Sequence, residues 1–176
     1  MIRIAYILLV VLCFGQLVNA QTISGDQNWQ SKEDFKNTER NVIENILWLE
    51  ENPLSTASND TKAITEYVLN WLTNNPYMSV TYDEVFLEGL TNSKKYKFGE
   101  KFRVTYLFGK SFYVLSLPNQ PDEAKASARG IEGMVKVYQE LKKVDPSVKH
   151  RTLEKYSRMY KSAKLVEFTK SQLAKK

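Results

Sequence analysis

Reactive side chains are scarce in this chain. Its 176 residues include one cysteine, Cys13, and one histidine, His150. A Cys-His pair needs both in one folded domain, a Ser-His-Asp triad needs the imidazole, and zinc or haem sites need several such ligands. Cys13 lies in an apolar N-terminal run read below as a removable leader, which leaves a lone imidazole between Lys149 and Arg151. In that setting His150 is expected to be a solvated residue near a helix start. Carboxylates remain as a route to catalysis, because two of them can meet in space from any positions in a chain. Asp83-Glu84, beside Tyr82, is the one pair the pattern singles out, and it would serve a carboxylate-dependent hydrolase acting on an envelope or extracellular substrate. The preferred reading of acids at that position is as helix-start residues, where the helix dipole favours them. A Ser-Lys dyad stays open for the same spatial reason. Seven glycines, none arranged as G-x-G-x-x-G, leave no nucleotide fingerprint, so the expected content is no cofactor and no metal.

Charge is the feature with a pattern. Residues 21–92 hold 12 Asp and Glu against 4 Lys and Arg, residues 93–135 hold 8 bases against 4 acids, and residues 136–176 hold 12 bases against 4 acids. Two readings follow. In one, acidic early helices lie against basic late ones and attract them across one bundle. In the other, Lys149, Arg151, Lys155, Arg158, Lys161 and Lys164 form a basic face that meets an anionic envelope surface or an acidic protein partner. Nucleic acid is not expected, because export removes the chain from it. Three tryptophans and ten tyrosines could stack on a ligand, but Trp71 and most tyrosines fall on predicted inward stripes. Trp48 falls beside such a stripe, and Trp29 sits in a polar segment where it can tuck over the bundle.

Residues 1–20 have the form of a secretory signal peptide: Met1-Ile2-Arg3 is positive, Ile4 to Phe14 is uninterruptedly apolar, and Val18-Asn19-Ala20 suits a peptidase. Eleven apolar residues of helix rise only about 16 Å, roughly half a hydrocarbon core, so the run is too short for an anchor. Cys13 sits within this run and lacks a lipid-attachment junction. The exported chain, about 156 residues, then has no thiol and no disulfide, which suits a bacterial periplasm or the medium. Asn59-Asp60-Thr61 matches the glycosylation tripeptide, a pattern common by chance, and its expected role is helix capping. Residues 21–172 make one helical domain, followed by a basic tail at 173–176, and no stretch of the exported chain could span a membrane.

Periodicity sets the elements. A helix over 34–51 aligns Phe35, Val42, Ile43, Ile46 and Leu49, with Ser31 and Asp34 as start signals. A second, starting at Asn59 or Asp60, aligns Ile64, Tyr67, Val68, Trp71 and Leu72. Both close on Trp-Leu-x-x-Asn-Pro, at Trp48 to Pro53 and Trp71 to Pro76; the spacing is too short for a helix-pair repeat, so this is shared stop grammar, with Asn suited to a left-handed turn. Residues 77–82 are extended, and 83–90 form a short helix turning Val85, Phe86 and Leu90 inward. Residues 98–117 admit two structures. Alternation of Phe102, Val104, Tyr106 and Phe108 fits a hairpin turning at Gly109-Lys110; three- and four-residue steps through Phe102, Tyr106, Gly109, Tyr113 and Leu117 fit a central buried helix. The helix is preferred, since a lone hairpin is marginal and no other segment would complete a sheet. A helix from Asp122 to about Lys143 aligns Ala124, Ala128, Ile131, Val135, Tyr138 and Leu141, with Ala126, Gly130 and Gly133 forming a small-residue face for a close neighbour. Two final helices carry Leu153, Tyr156 and Tyr160, then Leu165, Val166 and Phe168.

The leader, the Trp71-Leu72 helix end before Pro76, the aromatic helix with Gly109-Lys110, and the run Ala128-Arg129-Gly130-Ile131-Glu132-Gly133-Met134-Val135-Lys136-Val137-Tyr138 are similar to a family of small exported helical proteins of Gram-negative bacteria. The resemblance covers about residues 55–170. It implies an all-helical exported protein and no particular activity. The expectation is therefore an all-α, single-domain bundle of about six helices that binds or scaffolds without catalysing, or that is purely structural or chaperone-like.

Overall fold

The computed structural model describes residues 27–53, 59–91, 96–119 and 122–175. They form seven helices: α1 (Lys32–Glu51), α2 (Asn59–Asn74), α3 (Glu84–Leu87), α4 (Gly99–Ser116), α5 (Glu123–Val144), α6 (Arg151–Lys161) and α7 (Leu165–Leu173). A 3-10 turn, Pro146–Val148, precedes α6. No strand occurs among the described residues, so the chain is the expected all-α bundle, with one helix beyond the count of about six. The leader, residues 1–20, lies outside the described residues.

Local chemistry starts and stops these helices. The Ser31 hydroxyl accepts the Asp34 N–H at 3.2 Å and the Asp34 carboxylate accepts the Ser31 N–H at 2.8 Å, a reciprocal cap for α1. Asp122 caps α5 by accepting the Lys125 N–H at 3.0 Å. The two Asn-Pro endings differ from the left-handed stop expected of them. Asn52 has φ −119° and stops α1 with its side chain, whose amide donates to the Trp48 carbonyl at 3.0 Å. Asn75 accepts the N–H groups of Tyr77 and Met78, both at 2.9 Å, and leads the chain into the extended segment. The short helix expected over 83–90 is a single turn, α3, because Glu88 leaves the helical region with ψ 133° and Gly89 after it takes φ +79°.

Gly99–Ser116 form one continuous helix, so the hairpin is excluded. Helix α4 is central because it has apolar groups on two faces. Phe102 and Tyr106 enter a core with Phe86, Leu90, Ile131, Tyr138, Leu153 and Tyr156, which joins α3 to α7. Phe108 and Leu115 enter a second core with Phe35, Ile46, Tyr67 and Trp71 from α1 and α2. The stripe read from sequence fails at its far end: Leu117 caps α4 and is exposed. Tyr160 and Val166, which help to mark α6 and α7 in the sequence, are also exposed.

Helices α4 and α5 share the most extensive interface. A Cβ on Gly109 would stand 2.7 Å from the Arg129 carbonyl oxygen and 3.0 Å from the Gly130 Cα. A Cβ on Gly130 would stand 2.7 Å from the Tyr106 ring. Two glycines inside helices, each costing about 1 kcal/mol against alanine, are thus explained by backbones in near contact. Gly133 has a different reason. Its missing Cβ would lie 2.6 Å from the Glu50 carboxylate, so it makes room for an ion pair.

Candidate functional site

Two buried ionic clusters fix the helices, and of the pair that sequence pattern singled out only Asp83 takes part, in the first. In the first, Lys110 of α4 donates to Asp83 Oδ2 at 2.8 Å, to the Thr81 carbonyl at 2.9 Å and to Glu123 Oε1 at 2.5 Å. Three N–H donors of the ammonium thereby meet three acceptors. Asp83 Oδ2 also accepts the Tyr106 hydroxyl at 3.0 Å and the Ser127 hydroxyl at 3.1 Å. Burial, with the neighbouring Asp83 charge adding to it, pushes the Tyr106 phenol well above its ordinary pKa. In the second cluster, Arg129 of α5 holds Glu50 of α1 in a two-point pair at 2.7 and 2.9 Å, with Lys136 at 3.5 Å from the same carboxylate. The Arg129 guanidinium lies 4.4 Å over the Phe112 ring.

Asp83 and Glu84 do not converge. Asp83 is buried among three donors, whereas Glu84 is exposed at the start of α3, and neither lines any of the four principal cavities. Ser127 and Lys110 both bond to the same carboxylate oxygen, and Ser127 is fully buried, so no substrate atom reaches this Ser-Lys neighbourhood. The cluster acts as a lock that ties the segment before α3 to α4 and α5. Among the described residues no three His, Cys, Asp or Glu side chains gather in a metal-binding arrangement, and no helix is long and apolar enough to cross a membrane.

The six cations of the predicted basic face are all exposed. Arg151, Lys155 and Arg158 follow one another at four and three residues along α6, hence on one side, with Lys161 at its end. Lys149 precedes α6 and Lys164 caps α7. None of the six forms a salt bridge among the described residues. Lys155 instead rests 4.4 Å over the Phe168 ring. Nearby acids are engaged elsewhere: Asp145 pairs with Lys97 at 3.1 Å, and Glu154 pairs with Lys142 and accepts the Tyr138 hydroxyl. The Lys142 and Tyr138 hydrogen bonds hold the Glu154 carboxyl below its ordinary range. Across residues 145–175 there are eight Lys and Arg and three Asp and Glu, while residues 27–91 carry eleven acids and four bases. No ion pair among the described residues joins α1 or α2 to α6 or α7; those helices meet through α4 and α5. The ion pairs that join an acidic early helix to a later basic segment run to α5, where Glu50 of α1 meets Arg129 and Lys136, and do not reach α6 or α7 among the described residues.

Beside this face is a cavity of about 420 Å³ between α5 and the α6–α7 turn. Tyr113, Ala128, Tyr160, Ala163, Leu165 and Val166 line it, with the charged Lys125, Arg129 and Glu132. Ala163 has φ +56°, the one left-handed non-glycine among the described residues, and it reverses the chain between the two helices. A larger cleft, about 710 Å³, lies beside Trp29, whose ring packs 5.3 Å from Phe35 and 5.4 Å from Tyr67. Its amides are turned on one another, Asn70 donating to Gln27 and Gln30 to Asn28.

His150 sits at the predicted helix start but is not simply solvated. Half-buried, its ring 4.7 Å from Tyr96, it caps α6 by accepting the Thr152 N–H at Nδ1, 3.2 Å away. Only the neutral imidazole accepts, and burial lowers its pKa from the ordinary histidine value. A folded-state pKa below the unfolded one means stability that is present above the ordinary histidine range and is lost as pH falls through the folded pKa. Denaturation midpoints should fall between pH 7 and pH 5, and His150→Asn, which can cap at any pH, should flatten that slope. An imidazole NMR titration midpoint at or above 6.5 would contradict this account.

Comparison with protein families, with curated proteins and with solved structures gives no match for this chain. Functional argument rests on the site itself. Lys110, Glu50 and Arg129, which hold the architecture, were not singled out by sequence pattern. The available signal was a lone cation, Lys110, inside an otherwise apolar and aromatic stretch.

Proposed function

We propose that this is an exported, non-catalytic binding or scaffolding module of the cell envelope, acting in the periplasm or outside the cell, whose basic face engages an anionic surface. One observation carries this reading: six exposed cations, from Lys149 to Lys164, have no salt-bridge partner among the described residues and belong to helices that the acidic ones do not pair with. A protein that merely balanced its own charges would place Glu33, Glu44 or Glu66 against them. The apolar run from Ile4 to Phe14 supports export.

Screening tests this directly. The full chain should be retained on a dextran sulfate column at low ionic strength and released as salt rises, since exposed charges lose their attraction beyond about 10 Å at 0.1 M. Triple reversal, Arg151→Glu, Lys155→Glu and Arg158→Glu, should abolish retention without changing the circular dichroism spectrum. No retention at low salt, or retention indifferent to salt, would refute the reading.

A further inference from the structure

The turn between α6 and α7 combines three properties that the basic face alone does not require. Residues 155–166 contain no acid and four cations, Lys155, Arg158, Lys161 and Lys164. Within that stretch Tyr160 is 37% exposed, and Val166 at its end is 43% exposed, although both occupy helices whose other large apolar groups are inward. Both also line the same cavity, together with the apolar Ala128 and Leu165, the Tyr113 ring and the charged Lys125, Arg129 and Glu132. The charged groups lining that cavity have partners of their own: Arg129 with Glu50, Glu132 with Lys136 at 2.8 Å, and the exposed Lys125 with Asp122 at 3.4 Å. The cations that adjoin this lining in the chain are Lys161 and Lys164, with Arg158 one turn back; the nearest acids in the chain are the exposed Glu167 and, four residues before Arg158, Glu154, which feels the Arg158 charge.

We propose that this turn is a membrane-entering edge, with Tyr160 and Val166 sinking into the headgroup layer of an anionic phospholipid bilayer while Arg158, Lys161 and Lys164 hold its phosphates. The inference rests on the basic-face reading and names the surface that face meets. Tyrosine suits the depth, since its ring is apolar and its hydroxyl stays wet. Lysines suit the margin, because their stems lie along apolar surface while the ammonium reaches headgroup oxygens. An acidic protein would satisfy the cations but gives no reason for an apolar edge between them; a bilayer satisfies both, as attraction and insertion add. Left-handed Ala163 contributes by reversing the chain tightly enough to present Tyr160 and Val166 along one margin.

The experiment uses the full chain, vesicles of phosphatidylglycerol mixed with phosphatidylcholine, and pure phosphatidylcholine as control. Tyr160→Trp places a reporter at the edge, read as the difference from the unsubstituted chain because Trp29, Trp48 and Trp71 also emit. On phosphatidylglycerol vesicles its emission should shift to the blue and be quenched by lipids brominated on the acyl chain. Phosphatidylcholine and soluble dextran sulfate should produce neither effect. The double variant Tyr160→Ser with Val166→Asp, both at exposed positions, should lose at least ten-fold in vesicle affinity while keeping its dextran sulfate retention. Lys164→Gln should lose about five-fold on vesicles. Binding to dextran sulfate with no binding to vesicles, vesicle binding without quenching of residue 160, or a double variant of unchanged vesicle affinity would each overturn the membrane edge and leave the basic face standing. Binding to neither surface would overturn both.

Discussion

Lys110→Met should destabilise the protein by about 3–5 kcal/mol, the largest effect expected of any single substitution here. Methionine keeps the length and apolar stem of the side chain, so packing within α4 is nearly preserved. What changes is that Asp83, whose Oδ2 lies among Lys110, Tyr106 and Ser127, loses its cation in a buried setting. Removing one member of a buried pair costs far more than the net worth of the pair, because the charge left behind is neither solvated nor compensated. Glu123, which is more than half exposed, can turn to water and contributes little to that cost. Asp83→Asn combined with Lys110→Met should therefore recover most of the loss, since a neutral amide still accepts from Tyr106 and Ser127. Urea denaturation of the two single variants and the double variant measures this coupling. A loss below about 1 kcal/mol for Lys110→Met would mean that the ammonium is dispensable to the fold.

Gly109→Ala is the second large effect, and it runs against helix propensity. Alanine in a helix normally gains about 1 kcal/mol over glycine. At this position the new methyl meets backbone of α5, the Arg129 carbonyl at 2.7 Å and the Gly130 Cα at 3.0 Å, and a backbone cannot rotate aside as a side chain can. The helices must separate along their most extensive interface, exposing the seam of Phe102, Tyr106 and Ile131 to strain. Overpacking of this kind costs about 1–3 kcal/mol and sometimes more; less the propensity gain, a net loss of about 1–2 kcal/mol is expected against unyielding backbone, and a larger one for Gly109→Val, which has no comparable propensity gain. Gly130→Ala should behave similarly, against the Tyr106 ring and carbonyl. Because the two glycines share one contact, the double variant should fall short of the sum. Thermal or urea midpoints settle the matter; a Gly109→Ala variant more stable than the parent would refute the close approach.

Much of this architecture was legible in residue order. The stripe Ile64, Tyr67, Val68, Trp71 is buried as its spacing required, and Ser31 with Asp34 begins α1 by the interaction their separation suggested. The long segment from Phe98 to Leu117, ambiguous between two periods, is helical for the reason that favoured helix: an isolated hairpin would have had nothing to pair with. Misreadings have a common cause. Tyr160 and Val166 match an apolar pattern, but a pattern registers hydrophobicity along a helix and not the direction from which a neighbour covers it. Glu50 looks like any acid near a helix end, and only Arg129, 79 residues later, explains its burial.

Charge shows the division most clearly. That early residues are acidic and late ones basic follows from composition alone, as does the lack of thiol and imidazole pairs for catalysis. Whether the two signs cancel was decided by packing, which set α4 and α5 between the acidic helices and α6 with α7, and left Lys149 to Lys164 facing water. Local propensity acts over a few residues and sets which elements form; the meeting of groups far apart in the chain depends on how those elements fill space around a shared core, and so on the whole fold at once.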